Sequence, residues 1–189
     1  MVGAGVAIAL VFLCSGRSNW TAPKDEREAF TIIFTDIQSS TTLWAEAPEA
    51  MAPAIDHHHA LIRKLCSKHR GYEVKTIGDA FMVAFKDAAD AVSLSSALQF
   101  NFFEDSNWSP QIDHAYLERD HVSTRDGTAA ERAQYSIALS PEDYGRVWNG
   151  LRVRVGIHTG FGEIKKDPVS QGYDYYGTVV NTAARTESI

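Results

Sequence analysis

Hydrophobic and polar positions in the first half of the chain predict a strand, a helix, a hairpin and a second helix, in that order. Phe30–Phe34 is β-branched and aromatic and too short for a helix, which indicates a buried strand. Between residues 48 and 69 the apolar positions recur every three to four residues, as in an amphipathic helix. Tyr72–Thr76 and Phe81–Phe85 each alternate around a short turn, which predicts a hairpin. Asp87 then caps a helix that runs to about residue 103.

The helical phase predicts which side chains face the core. The inner side of the first helix is expected to carry Met51, Ile55, His59, Ile62 and Leu65 or Cys66. The inner side of the second is expected to carry Val92, Leu94, Leu98 and Phe102. Consecutive helix positions fan out by about 100°, so the three histidines at 57–59 cannot converge on one metal ion. We expect surface histidines and one at the edge of the core.

The second half of the chain is less regular. From residue 104 to 149 the periodicity weakens and acids outnumber bases, which predicts an insertion into the sheet with a helix starting near Ser140. Leu151–Thr159 alternates strictly, so we expect a half-buried strand with Arg152 and Arg154 on a basic outer face. Gly177–Ile189 has the pattern of a final helix.

Composition and charge narrow the class of protein. The 189 residues are 44% apolar and 22% charged, which is typical of one globular domain. The net charge is −6 and no run of five or more basic residues occurs, so binding to nucleic acid through phosphate neutralisation is not expected. Cys14 and Cys66 provide neither a disulfide framework nor the spacing of a zinc site.

The first residues form an apolar run that bears on location. As a helix, Val2–Cys14 would span roughly 20 Å, less than the ~30 Å hydrocarbon core of a bilayer. Arg17 and Lys24 follow it and no basic residue precedes it. We therefore expect residues 1–16 to be the cytosolic end of a transmembrane segment in the plasma membrane and residues 17–28 to be a cytosolic linker. The alternative is a buried apolar helix or a signal remnant.

Three groups of polar residues carry candidate chemistry. Asp36 ends the first strand and Asp79 lies in the hairpin turn, so a sheet that pairs these elements could bring both carboxylates to one Mg²⁺ site; ordinary turn chemistry is the alternative. The polar segment at residues 37–42 could bind phosphate through backbone amides or act as an N-cap cluster. Asn181 and Arg185 are four apart on the last helix and share one face, which alone is more typical of solvent-facing residues.

Four sequence blocks together make a more specific pattern. In order they are FTDIQSSTTLW, YEVKTIGDAFMVAF, LRVRVGIHTG and GYDYYGTVVNTAAR. They resemble the signature blocks of class III nucleotide cyclases, most closely the receptor-type adenylate cyclases of trypanosomatids. The resemblance covers residues 29–189, the expected catalytic domain, with the insertion at about 104–149 matching in placement. It implies an α+β fold, a ferredoxin-like β-α-β-β-α-β palm with an inserted subdomain, that ends before the family's last strands.

The resemblance also implies a role for each site residue. Two Mg²⁺ or Mn²⁺ ions per active site would be held by Asp36, Asp79 and the carbonyl of Ile37. The phosphates would meet Arg154 and the loop of Ile37, Gln38, Ser39, Ser40 and Thr41. Lys75 and Asp174 would read adenine, whose N1 accepts and whose 6-amino group donates a hydrogen bond. Asn181 and Arg185 would orient the ribose and stabilise the α-phosphate in the transition state.

The implied reaction is the conversion of ATP to 3′,5′-cyclic AMP and pyrophosphate by two-metal in-line attack of the 3′-hydroxyl on the α-phosphate. The family builds each site between two head-to-tail domains, so this chain would form a homodimer, attached to the membrane through its N-terminal segment. Two alternatives stay open: a catalytically silent nucleotide-binding or dimerisation module, and a guanylate cyclase.

Overall fold

The secondary structure contains six strands and six helices in the part of the chain that the structure, a computed structural model, describes: residues 19–126 and 139–188. The strands are β1 (Phe30–Ile37), β2 (Tyr72–Ile77), β3 (Ala80–Phe85), β4 (Val153–Gly160), β5 (Glu163–Lys166) and β6 (Tyr173–Tyr176). The helices are α1 (Ser40–Glu46), α2 (Pro48–Lys68), α3 (Ala88–Glu104), α4 (Pro110–Asp126), α5 (Pro141–Val147) and α6 (Thr178–Glu187). The predicted membrane segment, residues 1–16, lies outside these ranges. None of the helices described is long and apolar enough to cross a membrane.

The main sheet has four antiparallel strands in the order β2-β3-β1-β4. This strand order arises when two β-α-β units interleave: β1 and β3, the first strand of each unit, lie in the centre, and β2 and β4 lie at the edges. The α+β, ferredoxin-like prediction is therefore confirmed. β5 and β6 form a separate two-stranded sheet. The register between β1 and β4 places Asp36 directly opposite Arg154.

Each face of the sheet is covered by a different layer, because successive strand residues point to opposite sides. On one face Ile33, Val83 and Phe85 pack against the apolar sides of α2 and α3. On the other face Ile32 and Met82 pack against residues of α6 and β6, including Val179 and Tyr175. Burial of each large side chain stabilises the fold by about 1.5–3 kcal/mol. Asp36 and Arg154 belong to the face that α6 covers.

Gly156 allows α6 to lie unusually close to β4. A Cβ atom at this position would be 2.3 Å from the amide nitrogen of Glu187 and 2.4 Å from the carbonyl oxygen of Ala183. Backbone atoms cannot move aside as a flexible side chain can. The contact therefore requires glycine, and it fixes the end of α6 over the middle of β4.

Two predictions of inner-facing residues in the helices are wrong. On α2, His58 is fully buried and His59 is not. The buried face of the helix includes Ala50 and Ala54, and His58, four residues after Ala54, continues that face. His59 is half-buried at the edge, where its Nε2 lies 3.1 Å from the carbonyl oxygen of Gly78. On α3, Leu94, Leu98 and Phe102 are buried as expected, but Val92 is 54% exposed because it lies on the opposite side of the helix.

The segment predicted to be an insertion contains two helices where it is described, α4 and α5. α4 and α5 contribute Tyr116 and Tyr144 to the helix-side core, and neither helix joins the sheet. Ser140 caps α5 by accepting a hydrogen bond from the Asp143 amide. The prediction that Arg152 lies on an exposed basic face is wrong: it is only 6% exposed, because α4 and α5 cover it. Residues 127–138 lie outside the described ranges, and the boundaries of the insertion stay a prediction.

Candidate active site

The fold brings the backbone after Asp36 to the carboxylate of Asp79. Asp36 is the penultimate residue of β1, and Asp79 lies in the two-residue turn between β2 and β3. Gly78 in that turn has φ 61°, a left-handed conformation that glycine adopts without strain. Asp79 Oδ2 accepts a hydrogen bond from the amide of Ile37 at 3.3 Å. The Asp79 carboxylate, predicted to bind metal, therefore contacts the backbone of the residue that follows Asp36, the second predicted ligand.

Arg154 bridges two carboxylates at this edge. Its Nη2 lies 2.6 Å from Asp36 Oδ2, the pair that the β1–β4 register predicts. Its Nε forms an ion pair with Glu187 Oε1 at 3.1 Å. Arg154 and Asp36 side chains keep 34% and 27% of their surface exposed, so both groups remain accessible from solvent. In this structure Arg154 serves as the counter-ion of Asp36.

Glu187 is a site residue that the sequence reasoning missed. It shares a helical phase with the buried Val179 and Ala183, and this spacing is the signal that could have indicated an inward carboxylate. Burial raises the pKa of Glu187, Arg154 lowers it, and Asp36 and Asp79 raise it further. The three carboxylates therefore share one electrostatic environment that favours a cation.

The donor set fits a magnesium ion shared with a phosphate ligand. No group of three or more His, Cys, Asp or Glu side chains that could hold a metal occurs within residues 19–126 and 139–188. Mg²⁺ commonly binds through only one or two carboxylates and takes its remaining oxygen ligands from water and substrate phosphates. Asp36 and Asp79 supply this number of carboxylates.

The predicted phosphate loop follows Asp36 directly. Ser39 has φ 58° and immediately precedes α1. Among the described residues, its side chain accepts no capping hydrogen bond from the first turn of α1. The alternative of an N-cap cluster is therefore wrong for Ser39. The Gln38 amide donates to the carbonyl oxygen of Arg152 at 2.9 Å. Ser40 and Thr41 form the first turn of α1, and phosphate binding by this loop stays a prediction.

Lys75 and Asp174, the predicted adenine-reading pair, contact each other. Lys75 Nζ donates to Asp174 Oδ2 at 2.9 Å. A bulge at Val74 shifts the register so that Lys75 lies opposite Met82, on the α6 side of the sheet. Tyr176, a contact the sequence reasoning also missed, donates its hydroxyl to the same carboxylate oxygen at 2.9 Å. It shares a strand face with Asp174 because the two are two residues apart.

The Asp174 carboxylate is stabilised in its ionised form. Burial disfavours the charge, but hydrogen bonds from the Lys75 ammonium, the Tyr175 amide and the Tyr176 hydroxyl outweigh burial and lower the pKa of Asp174. An ionised acceptor beside an ammonium donor gives this part of the surface one defined hydrogen-bond polarity.

Asn181 and Arg185 do not join either cluster through buried contacts. Both are exposed on α6, whereas Val179 and Ala183 face the sheet. The spacing of four residues still places the amide and the guanidinium on one helix face. This face is open to solvent or to a second molecule.

The antiparallel β-α-β-β-α-β fold agrees with the class of nucleotide cyclases that the sequence blocks resemble. The chain matches the adenylate and guanylate cyclase catalytic domain over residues 22–189, and it belongs to this family. Its similarity to the receptor-type adenylate cyclases of trypanosomatids is also established by direct comparison.

Two curated relatives and one solved structure illustrate this similarity. The chain is 47% identical over 196 residues to receptor-type adenylate cyclase A of Leishmania donovani, covering 100% of this chain and 14% of that protein. It is 44% identical over 201 residues to a receptor-type adenylate cyclase of Trypanosoma equiperdum, covering 100% and 42%. An adenylate cyclase structure from Trypanosoma brucei, described in its monomeric state, has 46% identity and a TM-score of 0.84 over 91% of this chain and 74% of that one. The chain thus spans less than half the length of these curated relatives.

Proposed function

We propose that this chain is the catalytic domain of an adenylate cyclase that converts ATP to 3′,5′-cyclic AMP and pyrophosphate. The observation that carries the proposal is the 3.3 Å hydrogen bond from the amide of Ile37, the residue after Asp36, to the Asp79 carboxylate, in a chain of the cyclase family. The relatives named as receptor-type adenylate cyclases support adenine as the base.

The carboxylates of Asp36 and Asp79, with the Ile37 carbonyl, would hold two Mg²⁺ or Mn²⁺ ions. When bound, these ions would lower the pKa of the 3′-hydroxyl and neutralise the charge of the phosphates. Arg154, which contacts Asp36 in this structure, would contact the triphosphate when the substrate is bound. A guanidinium is suited to this exchange, since it stays charged and can donate several hydrogen bonds to phosphate oxygens.

Lys75 and Asp174 would select adenine by hydrogen-bond polarity. The ammonium donates to adenine N1, and the carboxylate accepts from the 6-amino group. Guanine presents the opposite polarity at both positions and would leave both protein groups mispaired. The lowered pKa of Asp174 supports this role, because only the ionised carboxylate is purely an acceptor.

We further propose a head-to-tail homodimer with two equivalent sites. One copy would give Asp36, Asp79 and Arg154, and the other would give Lys75, Asp174, Asn181 and Arg185. The exposure of Asn181 and Arg185 supports this arrangement, as does Ile77, which is 70% exposed next to the turn that carries Asp79. Attachment to the plasma membrane with a cytosolic catalytic domain is proposed from the apolar residues 2–14 and the receptor-type names of the relatives.

The test is the product formed by the purified chain from ATP and from GTP with Mg²⁺ or Mn²⁺. We expect cyclic AMP as the main product and its loss in Asp79→Asn. The matched control is Asp56→Asn, which removes an exposed carboxylate from the outer side of α2. Cyclic GMP as the main product would contradict the assignment of Lys75 and Asp174 and favour a guanylate cyclase.

A catalytically silent nucleotide-binding or dimerisation module is the second candidate. The ion pair of Arg154 with Asp36 favours it, since the guanidinium occupies one of the carboxylates that a metal ion needs. Calorimetry with ATP separates the two functions. A folded chain that binds ATP without releasing any cyclic nucleotide would support the silent module.

A further inference from the structure

α4 is attached to the segment that leads into β4 by three residues on one helix face. Asp113, Tyr116 and Asp120 are spaced by three and four residues and so project from the same side. Asp113 Oδ1 accepts a hydrogen bond from the Gly150 amide at 2.8 Å. Asp120 Oδ2 lies 2.8 Å from Arg152 Nη2. α4 therefore binds the backbone of Gly150 and the side chain of Arg152, just before β4 begins.

The hydroxyl of Tyr116 connects the segment before β4 to the residue that follows β1. It donates to the carbonyl oxygen of Gln38 at 2.8 Å and accepts from the amide of Arg152 at 3.3 Å. The Gln38 amide in turn donates to the carbonyl oxygen of Arg152 at 2.9 Å. These three hydrogen bonds close a ring at the point where the β1–β4 ladder ends. Gln38 and Arg152 lie two residues from Asp36 and Arg154, respectively.

The three hydrogen bonds are enclosed by buried and aromatic side chains. Tyr116 is fully buried and Arg152 is 6% exposed. The Arg152 guanidinium lies 4.3 Å from the ring of Tyr116, 5.1 Å from that of Tyr144 and 4.8 Å from that of Trp148. Burial raises the pKa of the Tyr116 hydroxyl, so it remains a donor at all physiological pH values. Loss of the hydroxyl would leave the Gln38 carbonyl and the Arg152 amide without this partner in a site that water does not readily reach.

We propose that Tyr116 is a positioning residue of the active site, whose hydroxyl fixes the backbone of Ile37 and Gln38 and thereby the direction of the Asp36 carboxylate. The inference rests on the proposed function and extends it, because it gives the helices between β3 and β4 a part in catalysis. A displacement of about 1 Å at a reacting group can reduce turnover by about 100-fold. A single hydroxyl at the end of the ladder is therefore sufficient to affect the rate.

Tyr116→Phe tests this proposal, with Tyr144→Phe as the matched control. Both substitutions remove one buried hydroxyl beside Arg152, but that of Tyr144 donates to Asp113 Oδ1 at 3.1 Å and does not contact the exit of β1. Two quantities are measured at a temperature where both variants are folded: kcat for cyclic AMP formation with its Mn²⁺ dependence, and hydrogen exchange of the Gln38 amide. We expect Tyr116→Phe to lower kcat by about tenfold or more and to speed Gln38 exchange by about tenfold. Tyr144→Phe should change both by less than about twofold even if it lowers Tm equally.

The two readouts separate failure of this inference from failure of the proposed function. Equal effects of the two substitutions on kcat and on Gln38 exchange would overturn the positioning role. A wild-type chain without cyclase activity would contradict the proposed function, and Gln38 exchange would still decide whether Tyr116 orders the loop. If Tyr116→Phe does not fold, the wild-type chain gives the answer: a Gln38 amide that exchanges as fast as that of Gly78 in the exposed turn would overturn the proposal.

Discussion

Arg154 has two anionic partners, and under the proposed function their balance would determine how readily a cation reaches Asp36. Its guanidinium contacts Asp36 at 2.6 Å and Glu187 at 3.1 Å. A metal ion on Asp36 must displace the first contact. Glu187 offers the displaced guanidinium a carboxylate that is already in place, so it should lower the cost of that exchange.

Replacement of Glu187 by glutamine should weaken the binding of divalent cations. The substitution removes one negative charge from the site and leaves Asp36 as the main counter-ion of Arg154. We expect the Mn²⁺ concentration for half-maximal activity to rise by about fivefold, equivalent to about 1 kcal/mol. Glu163→Gln, which removes an exposed carboxylate paired with Lys165, is the control. An unchanged Mn²⁺ requirement in Glu187→Gln would remove this residue from the site.

His58 makes the stability of the fold depend on pH. Its ring is buried against Phe81 and Phe102, and among the residues that the structure describes neither ring nitrogen has a hydrogen-bond partner. Burial is the main cause that lowers the pKa of His58 from 6.5 to about 3. Between these two values the unfolded chain binds a proton that the folded chain does not. Stability is therefore unaffected above pH 6.5 and falls as the pH decreases toward 3.

Because of His58, we expect the free energy of unfolding to fall by about 1.4 kcal/mol for each pH unit below 6.5, down to about pH 3. Urea unfolding at pH 7, 5.5 and 4.5 measures it, in comparison with His58→Leu, whose side chain cannot be protonated. The leucine variant should have the flatter profile. His114→Gln, at an exposed position of α4, should follow the wild type. Parallel profiles for wild type and His58→Leu would show that His58 takes up its proton without unfolding.

At the scale of elements, the sequence predicted those parts that carry their own local signals. The hairpin could be predicted from its alternation and its Gly-Asp turn, and α3 from Asp87, whose side chain caps the helix by accepting from the Ala89 amide. β5 and β6 could not, because four-residue strands such as Glu163–Lys166 have little periodicity and depend on pairing with each other. α4 was also not predicted, because its contacts with Arg152 use polar and aromatic residues rather than an apolar stripe.

The docking of α6 on β4 can be tested with two glycines on the same strand. Gly156→Ala would place a methyl group within 2.4 Å of backbone atoms of α6, whereas a Cβ at Gly160 would meet Val179 at an ordinary 3.5 Å. We expect Gly156→Ala to lower the free energy of unfolding by about 1–3 kcal/mol and Gly160→Ala to change it by less than about 0.5 kcal/mol. Chemical denaturation measures both. Similar losses in the two variants would mean that the helix can shift without cost.

At the scale of the whole molecule, each chain contains two separate clusters. One consists of Asp36, Asp79 and Arg154 with Glu187, and the other of Lys75 and Asp174 with Tyr176. The sequence motifs identified Asp36, Asp79, Arg154, Lys75 and Asp174, the members that we propose to contact a ligand. Glu187 and Tyr176 were missed because their roles depend on how α6 and β6 lie against the sheet, which motif spacing does not reveal. Arg185 is exposed on α6. In the proposed dimer it lies on the same copy as Lys75 and Asp174, and it meets the first cluster only when two chains combine.

Complementation between two inactive variants tests whether each site uses two chains. Asp79→Ala damages the proposed metal half-site and Arg185→Ala the proposed half-site across the interface, so each homodimer should be inactive. In a 1:1 mixture about half of the dimers contain one copy of each variant, and one of their two sites is intact, which predicts recovery of about a quarter of wild-type activity. A mixture of Asp79→Ala with Asp36→Ala should recover none, since both changes fall in the same half-site. Recovery in both mixtures, or in neither, would contradict a site shared between head-to-tail copies, because only that arrangement makes the outcome depend on which half-site each variant lacks.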